Sequence, residues 1–210
     1  MTASPYNRIA GGSLERLAAL SDGIFAVAMT LLVLDLRLPA AGAVHGEAGL
    51  GRALLALAPH LVVYLMSFLT LGIFWVGQQT QLNHLARADR DLAWIHLAFL
   101  FAVTLMPFST RLMTAFLAYR VALVAYWANI LLLGVMLFAS WRYATRAGLV
   151  RDDAPAGIGR SVERRIVIAQ ALYAGGAALC AIDTYWSLGF IVLVQLNYAL
   201  APRIGGILRR

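Results

Sequence analysis

From Ala53 to Ala86 the chain contains no Asp, Glu, Lys or Arg. Drawn as one α-helix with a rise of ~1.5 Å per residue, that run would be about 50 Å long, well beyond the ~30 Å hydrocarbon core of a bilayer. A soluble helix needs a solvated face and has no reason to exclude charge over such a length. Further charge-free runs extend from Leu92 to Thr110, Val121 to Trp141, Ile166 to Ile182 and Thr184 to Pro202. The chain is 61% hydrophobic and 13% charged, about half the charge of an ordinary soluble domain. This pattern is that of an all-α integral membrane protein.

The run from Ala53 carries Pro59 near its start and ends in the polar stretch Gln78 to His84. It reads as one tilted helix whose last turns leave the membrane. With it, six transmembrane helices are expected, at about 15–38, 53–84, 92–112, 120–142, 164–182 and 184–202. They form a single six-helix unit over residues 1–210. The longest polar connection, between Arg142 and Arg165, is too short to bury a core of its own. The N-terminus lacks the order of a signal peptide, so insertion is expected to proceed through the chain's own helices.

All 17 basic residues other than histidine are arginines, and the net charge is +7. A basic balance can indicate nucleic acid, but here the arginines sit in short connections between apolar runs, so no nucleic-acid partner is expected. Six spans would place Arg8, Arg16, Arg87, Arg90, Arg142, Arg146, Arg151, Arg160, Arg164, Arg165, Arg203, Arg209 and Arg210 on one side. Only Arg37, Arg52, Arg111 and Arg120 would lie on the other. The positive-inside rule then puts both termini in the cytoplasm, in a multi-pass protein of the cell (inner) membrane.

The first span keeps ionisable groups at its edge, which is costly in a membrane and marks a helix with a job beyond anchoring. It reads Arg16-Leu17-Ala18-Ala19-Leu20-Ser21-Asp22-Gly23 and then an apolar run to Leu34. At 100° per residue, Val27, Leu31 and Leu34 fall within about 60° of one another, and Thr30 lies about 60° from Val27. Asp22 points about 140° away from Val27, and Ser21 about 120° away on the opposite flank. The stripe and the polar groups therefore address different surroundings. An apolar stripe suits lipid contact or subunit packing. It also suits a pore wall, because hydrophobic constrictions can gate by excluding water. Angles alone do not choose between these readings.

The segment from Arg16 to Leu34 resembles the signature of the transmembrane protein 175 family of potassium channels, in particular its short bacterial members. That signature is Arg-x-x-x-Phe-Ser-Asp followed by an apolar run. Here it is Arg16-x-x-x-Leu20-Ser21-Asp22, with Trp75 and Pro107-Phe108-Ser109-Thr110 as supporting matches. The resemblance implies a homotetramer around a central pore lined by the first helix. It implies a constriction at Val27, Leu31 and Leu34, with Thr30 contributing to potassium preference. Arg16, Ser21 and Asp22 would brace the helix against the second and third spans. No Thr-Val-Gly-Tyr-Gly filter occurs. Two departures stand out. Leu20 replaces the motif phenylalanine, and Gln78-Gln79 stand where members often carry a histidine. Val27 is smaller than Ile or Leu, which points to a looser ring.

Other residues carry less. Asp35 could gather cations at a pore mouth or be a solvated helix-end residue paired with Arg37. His60, His84 and His96 lack metal-site spacing and suit hydrogen-bonded structural roles. Gly175 and Gly176 would let a helix approach closely. The lone Cys180 excludes an intramolecular disulfide. No HExxH, GxSxG, Walker or CxxC motif is present, so neither an enzyme nor a cofactor is expected beyond the permeant potassium ion. The competing reading is a proton-coupled secondary transporter using Asp22, which would want an inverted repeat and a broken midplane helix.

Overall fold

The structure, a computed structural model, describes residues 13–37, 40, 42, 44–155 and 157–207, with side chains as far as residue 200. Arg8, Arg209, Arg210 and the side chain of Arg203 lie outside the described residues. So does residue 38, the end of the first predicted span.

Apart from one isolated antiparallel bridge between Leu85 and Val150, the regular structure of the described residues is helical. Helix α1 spans Leu14–Leu31 and starts at Ser13, whose hydroxyl accepts the Arg16 backbone N–H at 3.3 Å. It tightens into a 3-10 turn over Leu32–Asp35. Helix α2, Gly46–Ala56, is short, and none of its side chains is buried. Then come α3 at Ala58–Asn83, α4 at Arg90–Thr104, α5 at Met106–Ala115 and α6 at Arg120–Arg146. The chain closes with α7 at Ile158–Ala178, a 3-10 turn at Leu179–Ala181, and α8 at Thr184–Ile207.

Four stretches among the described residues are long and apolar enough to cross a membrane: Leu14–Asp35, Ala58–Asn83, Arg90–Ala115 and Arg120–Arg146. The predicted span at 164–182 appears as part of α7, which begins earlier, in the polar sequence around Arg160, Glu163, Arg164 and Arg165. Those charges leave only the second half of α7 apolar.

Two expectations of continuous helices are corrected, each by a proline. The run from Ala53 is broken at Leu57, two residues before Pro59, and the segment before the break is the end of α2. The third span is broken at Leu105, two residues before Pro107. Proline has no N–H for the carbonyl four residues back, and its ring crowds that carbonyl. Helix α2 itself was not anticipated, because Glu47, Arg52 and three glycines disguise its periodicity.

The main apolar core runs through the bundle, with Phe25, Met66, Phe74, Phe99, Val103, Met113, Tyr126 and Ile130 among its buried members. A second cluster closes the end that holds the start of α1. Leu17 meets Leu82, Leu85, Leu92, Trp141 and Leu149 there. Gly148, at φ 64°, ends α6 in the left-handed conformation that glycine tolerates. Leu149 then turns back to donate to the Ala144 carbonyl at 3.0 Å. The Ala86 N–H donates to the Leu149 carbonyl at 2.8 Å, stitching the α3–α4 and α6–α7 connections together.

Buried polar groups tie the helices internally. Thr110 Oγ1 donates to Ser67 Oγ at 2.8 Å, and Ser67 Oγ donates to the Tyr126 hydroxyl at 3.3 Å. Thr70 Oγ1 lies 3.2 Å from the same hydroxyl and accepts from Gln195 Nε2 at 2.7 Å. Interhelical bonds of this kind are worth ~0.6 kcal/mol each on average inside membranes, so they guide packing more than they drive it.

The α7–α8 hairpin depends on one glycine. A Cβ at Gly176 would stand 2.9 Å from both Ile191 Cγ1 and Phe190 Cδ1, whereas one at Gly175 would meet nothing within 4 Å. Gly176→Val is therefore expected to destabilise the protein by about 1–3 kcal/mol, the usual cost of overpacking. Gly175→Ala should be neutral. Thermal unfolding of the two variants in one detergent checks the contrast.

Candidate ion pathway

Helix α1 lies against α3, α4 and α5 with one side and leaves its other side uncovered. The packed side is polar as well as apolar. Ser21 is fully buried, and its Oγ sits 2.8 Å from the Leu17 carbonyl and 2.7 Å from His96 Nε2. It also accepts from Gln78 Nε2 at 3.0 Å. A hydroxyl has one proton to give. That proton serves either the Leu17 carbonyl or the His96 ring, and the ring takes the complementary tautomer. One serine thus joins α1 to both α3 and α4.

Asp22, one residue on, is held from the other flank. A single carboxylate oxygen, Oδ1, accepts from Trp75 Nε1 at 2.8 Å and from Gln79 Nε2 at 2.7 Å. Hydrogen bonds to an ionised acceptor are stronger than neutral ones, so this pair fixes the roll of α1 about its axis. The side chain of Arg16 makes no hydrogen bond or ion pair among the described residues. Only its backbone N–H is engaged, at Ser13. Gln78 and Gln79 thus divide between two networks, one on each flank of α1.

On the uncovered side, Val27 is 57% exposed, Leu31 43% and Leu34 71%. Leu34 lies in the 3-10 turn, so the 100° rule does not govern it. In a 3-10 helix, residues three apart eclipse, which sets Leu34 directly beyond Leu31. The stripe persists by a different geometry from the one assumed. Thr30 is exposed beside it, and its hydroxyl donates to the Val27 carbonyl at 2.8 Å. With its proton committed to the helix, the Thr30 oxygen offers only lone pairs outward, the polarity a cation accepts.

Next to the stripe is an open groove of about 410 Å³, with Leu20, Gly23, Ile24, Val27 and Leu31 on one wall and Thr104 and Pro107 on the other. The broken third span therefore forms its far side. At the end of the stripe, Asp35 Oδ1 lies 4.0 Å from Arg111 Nε, so the ion pair runs to Arg111 rather than to Arg37. Arg111 is largely exposed, and such pairs contribute little to stability.

No group of three or more His, Cys, Asp or Glu among the described residues could hold a metal ion. Trp75 stands out in the sequence as a supporting match to the family, whereas the signal for His96 is weak, because it is a lone residue in an apolar run. A polar residue on a membrane-facing helix was the only clue. Asn129 carried the same clue and was overlooked.

The comparisons with known proteins converge. A family model described as the endosomal/lysosomal potassium channel TMEM175 matches residues 16–107. Potassium channel B446_29190 of Streptomyces collinus is 37% identical over 148 residues, covering 67% of this chain and 70% of that protein. Potassium channel Cha6605_3372 of Chamaesiphon minutus is 30% identical over 189 residues, covering 88% of this chain and 93% of that protein. More distantly, bovine endosomal/lysosomal proton channel TMEM175 is 32% identical over 109 residues, 50% of this chain and 23% of that protein. The crystal structure of a lysosomal potassium-selective channel TMEM175 homolog from Chamaesiphon minutus superposes with a TM-score of 0.76 at 27% identity, covering 90% of this chain and 98% of that one. The matched segment begins at Arg16 and takes in the braced, striped helix α1, and the chain belongs to the TMEM175 family of multi-pass membrane channel proteins.

Proposed function

We propose that this chain conducts potassium down its electrochemical gradient through a central pore of a homotetramer in the cell membrane. Four copies of α1 line the pore, and Val27, Leu31 and Leu34 form its constriction. The observation that carries this reading is the division of α1 into two faces. Ser21 and Asp22 lock one face to α3 and α4, and the apolar stripe is left bare on the other. Exposed Leu and Val also face lipid, so exposure alone does not decide. A lipid-facing stripe, however, gives no reason to fix the roll of its helix with a buried serine and a doubly bonded carboxylate. A constriction does, because a small rotation would remove its side chains from the axis. The names of the bacterial relatives and of the solved homolog point the same way.

Thr30 would offer its outward oxygen to an ion near the constriction. Six spans and cytoplasmic termini complete the proposal. Their support is the clustering of Arg87, Arg90, Arg142, Arg146, Arg151 and Arg160 at the end of the bundle where Leu17, Leu85 and Leu149 meet.

Purified protein in liposomes tests the reading. Potassium entry should follow the membrane potential without saturating and should not need a proton gradient. Saturable, proton-driven flux would favour the transporter reading based on Asp22. A mass measurement in mild detergent should give four copies. A monomer would leave no closed pore for a single helix per subunit to line.

A further inference from the structure

The break in the third span has a keeper on the neighbouring helix. Pro107 cannot donate to the Val103 carbonyl, so the ladder between α4 and α5 is weakened where Leu105 separates them. Asn129, buried on α6, reaches into this gap. The orientation of its amide is set by its neighbours. The NH2 group donates to the Ala102 carbonyl at 3.1 Å, while the oxygen accepts from the Met106 N–H at 3.2 Å and from Ser109 Oγ at 3.1 Å. Met106 N–H and Ala102 C=O are an i, i−4 pair, the two ends of one rung of an unbroken helix. The carboxamide bridges that rung with a donor and an acceptor of its own. A side chain inserted into the ladder is one of the few physical causes of a sharp bend.

The outer face of the same break meets α1. Thr104 and Pro107, on either side of Leu105, form the wall of the groove opposite Ile24, Val27 and Leu31. Residues on one side of the break hold the keeper, and residues on the other side face the stripe. We propose that Asn129 is a positioning residue for the constriction: by bridging Ala102 and Met106 it sets the bend of the third span, and the bend sets how closely Thr104 and Pro107 back α1 at Val27 and Leu31. The inference rests on the pore reading above. Neither aspartate nor glutamine replaces the group. Aspartate lacks the donor, and glutamine carries its amide one methylene further out.

Asn129→Leu keeps the bulk and removes both backbone bonds together with the one from Ser109. In proteoliposomes loaded with the full-length protein it should change the potassium-to-sodium permeability ratio by about fivefold, the weight of one net hydrogen bond. In a Pro107→Ala background, where the ladder can close unaided, the same substitution should change the ratio less than twofold. Backbone amide exchange at Met106 should rise at least tenfold in Asn129→Leu alone. Tyr126→Phe serves as the control, because it removes buried bonds to Ser67 and Thr70 from the same helix and touches none of the partners of Asn129. It should lower the melting temperature and leave both the ratio and the Met106 exchange unchanged. A ratio that Asn129→Leu leaves unchanged, or that Tyr126→Phe changes equally, overturns the proposal. If Asn129→Leu does not assemble, Pro107→Ala alone should shift the ratio, and an unchanged ratio there overturns it as well. Wild-type protein that passes no potassium would sink the pore reading instead. Met106 exchange would then still decide whether Asn129 holds the break.

Discussion

Leu31→Ala is expected to reduce discrimination between potassium and sodium by roughly tenfold while raising total cation flux. Leu31 is the middle residue of the stripe, with Val27 one turn before it and Leu34 eclipsing it beyond. Truncation removes three carbons from each copy, and a pore repeats the loss around its axis. The narrowing then widens and wets, and water accompanies the ion. A hydrophobic gate works by excluding that water. A tenfold change corresponds to ~1.4 kcal/mol, less than the ~2–5 kcal/mol that a Leu→Ala change costs in a packed core. The fold should withstand the substitution, because Leu31 is partly exposed in the protomer. Reversal potentials across planar bilayers, or paired potassium and sodium flux in liposomes, check the result. An unaltered ratio with intact flux would place the narrowest point elsewhere.

Ser21→Ala should have the largest effect on stability among the polar positions. It removes the group that contacts His96 Nε2 and Gln78 Nε2 together and leaves these two buried atoms only each other, 3.3 Å apart. Unpaired buried groups cost ~1–3 kcal/mol each in soluble proteins, and interhelical bonds in membranes reach at most ~1.7 kcal/mol. The expected loss is therefore about 2 kcal/mol, seen as a lower melting temperature in detergent. Because Asp22 still holds α1 through Trp75 and Gln79, conduction should persist at low temperature with a broader spread of conductance. Ser21→Thr keeps the hydroxyl and should recover most of the stability. A melting temperature unchanged in Ser21→Ala would mean that the serine is incidental to the brace.

How much of this could be read from the sequence depended on the period of each signal. Charge-free runs revealed the long helices, because excluding charge is a property of a whole segment. The 3.6-residue period of the first helix separated its polar from its apolar side. That separation survives even though Leu34 lies in a 3-10 turn, because the eclipsing of residues three apart replaces the 100° step. The prolines were visible, yet their effect was underestimated. Pro59 and Pro107 each interrupt the helical ladder two residues ahead, at Leu57 and Leu105. Helix α2 was missed because its glycines erase any apolar stripe. In the site, Ser21 and Asp22 were legible from the motif, but their partners were not. His96, Gln78 and Gln79 are brought to them by packing between spans distant in sequence, and nothing local to those residues announces it. Asn129 shows the same limit. Its role depends on a rung in another helix, and the rung is exposed only because Pro107 lies on the far side of it.

The central claim is that ions pass along the stripe of α1. Thiol labelling at Leu31 tests it most directly. Cys180 is the only cysteine, so a Cys180→Ser background leaves the introduced thiol of Leu31→Cys as the sole target. In proteoliposomes, a charged methanethiosulfonate reagent should abolish most potassium flux through Leu31→Cys and spare the background. Full labelling of the thiol with flux undiminished would contradict the account.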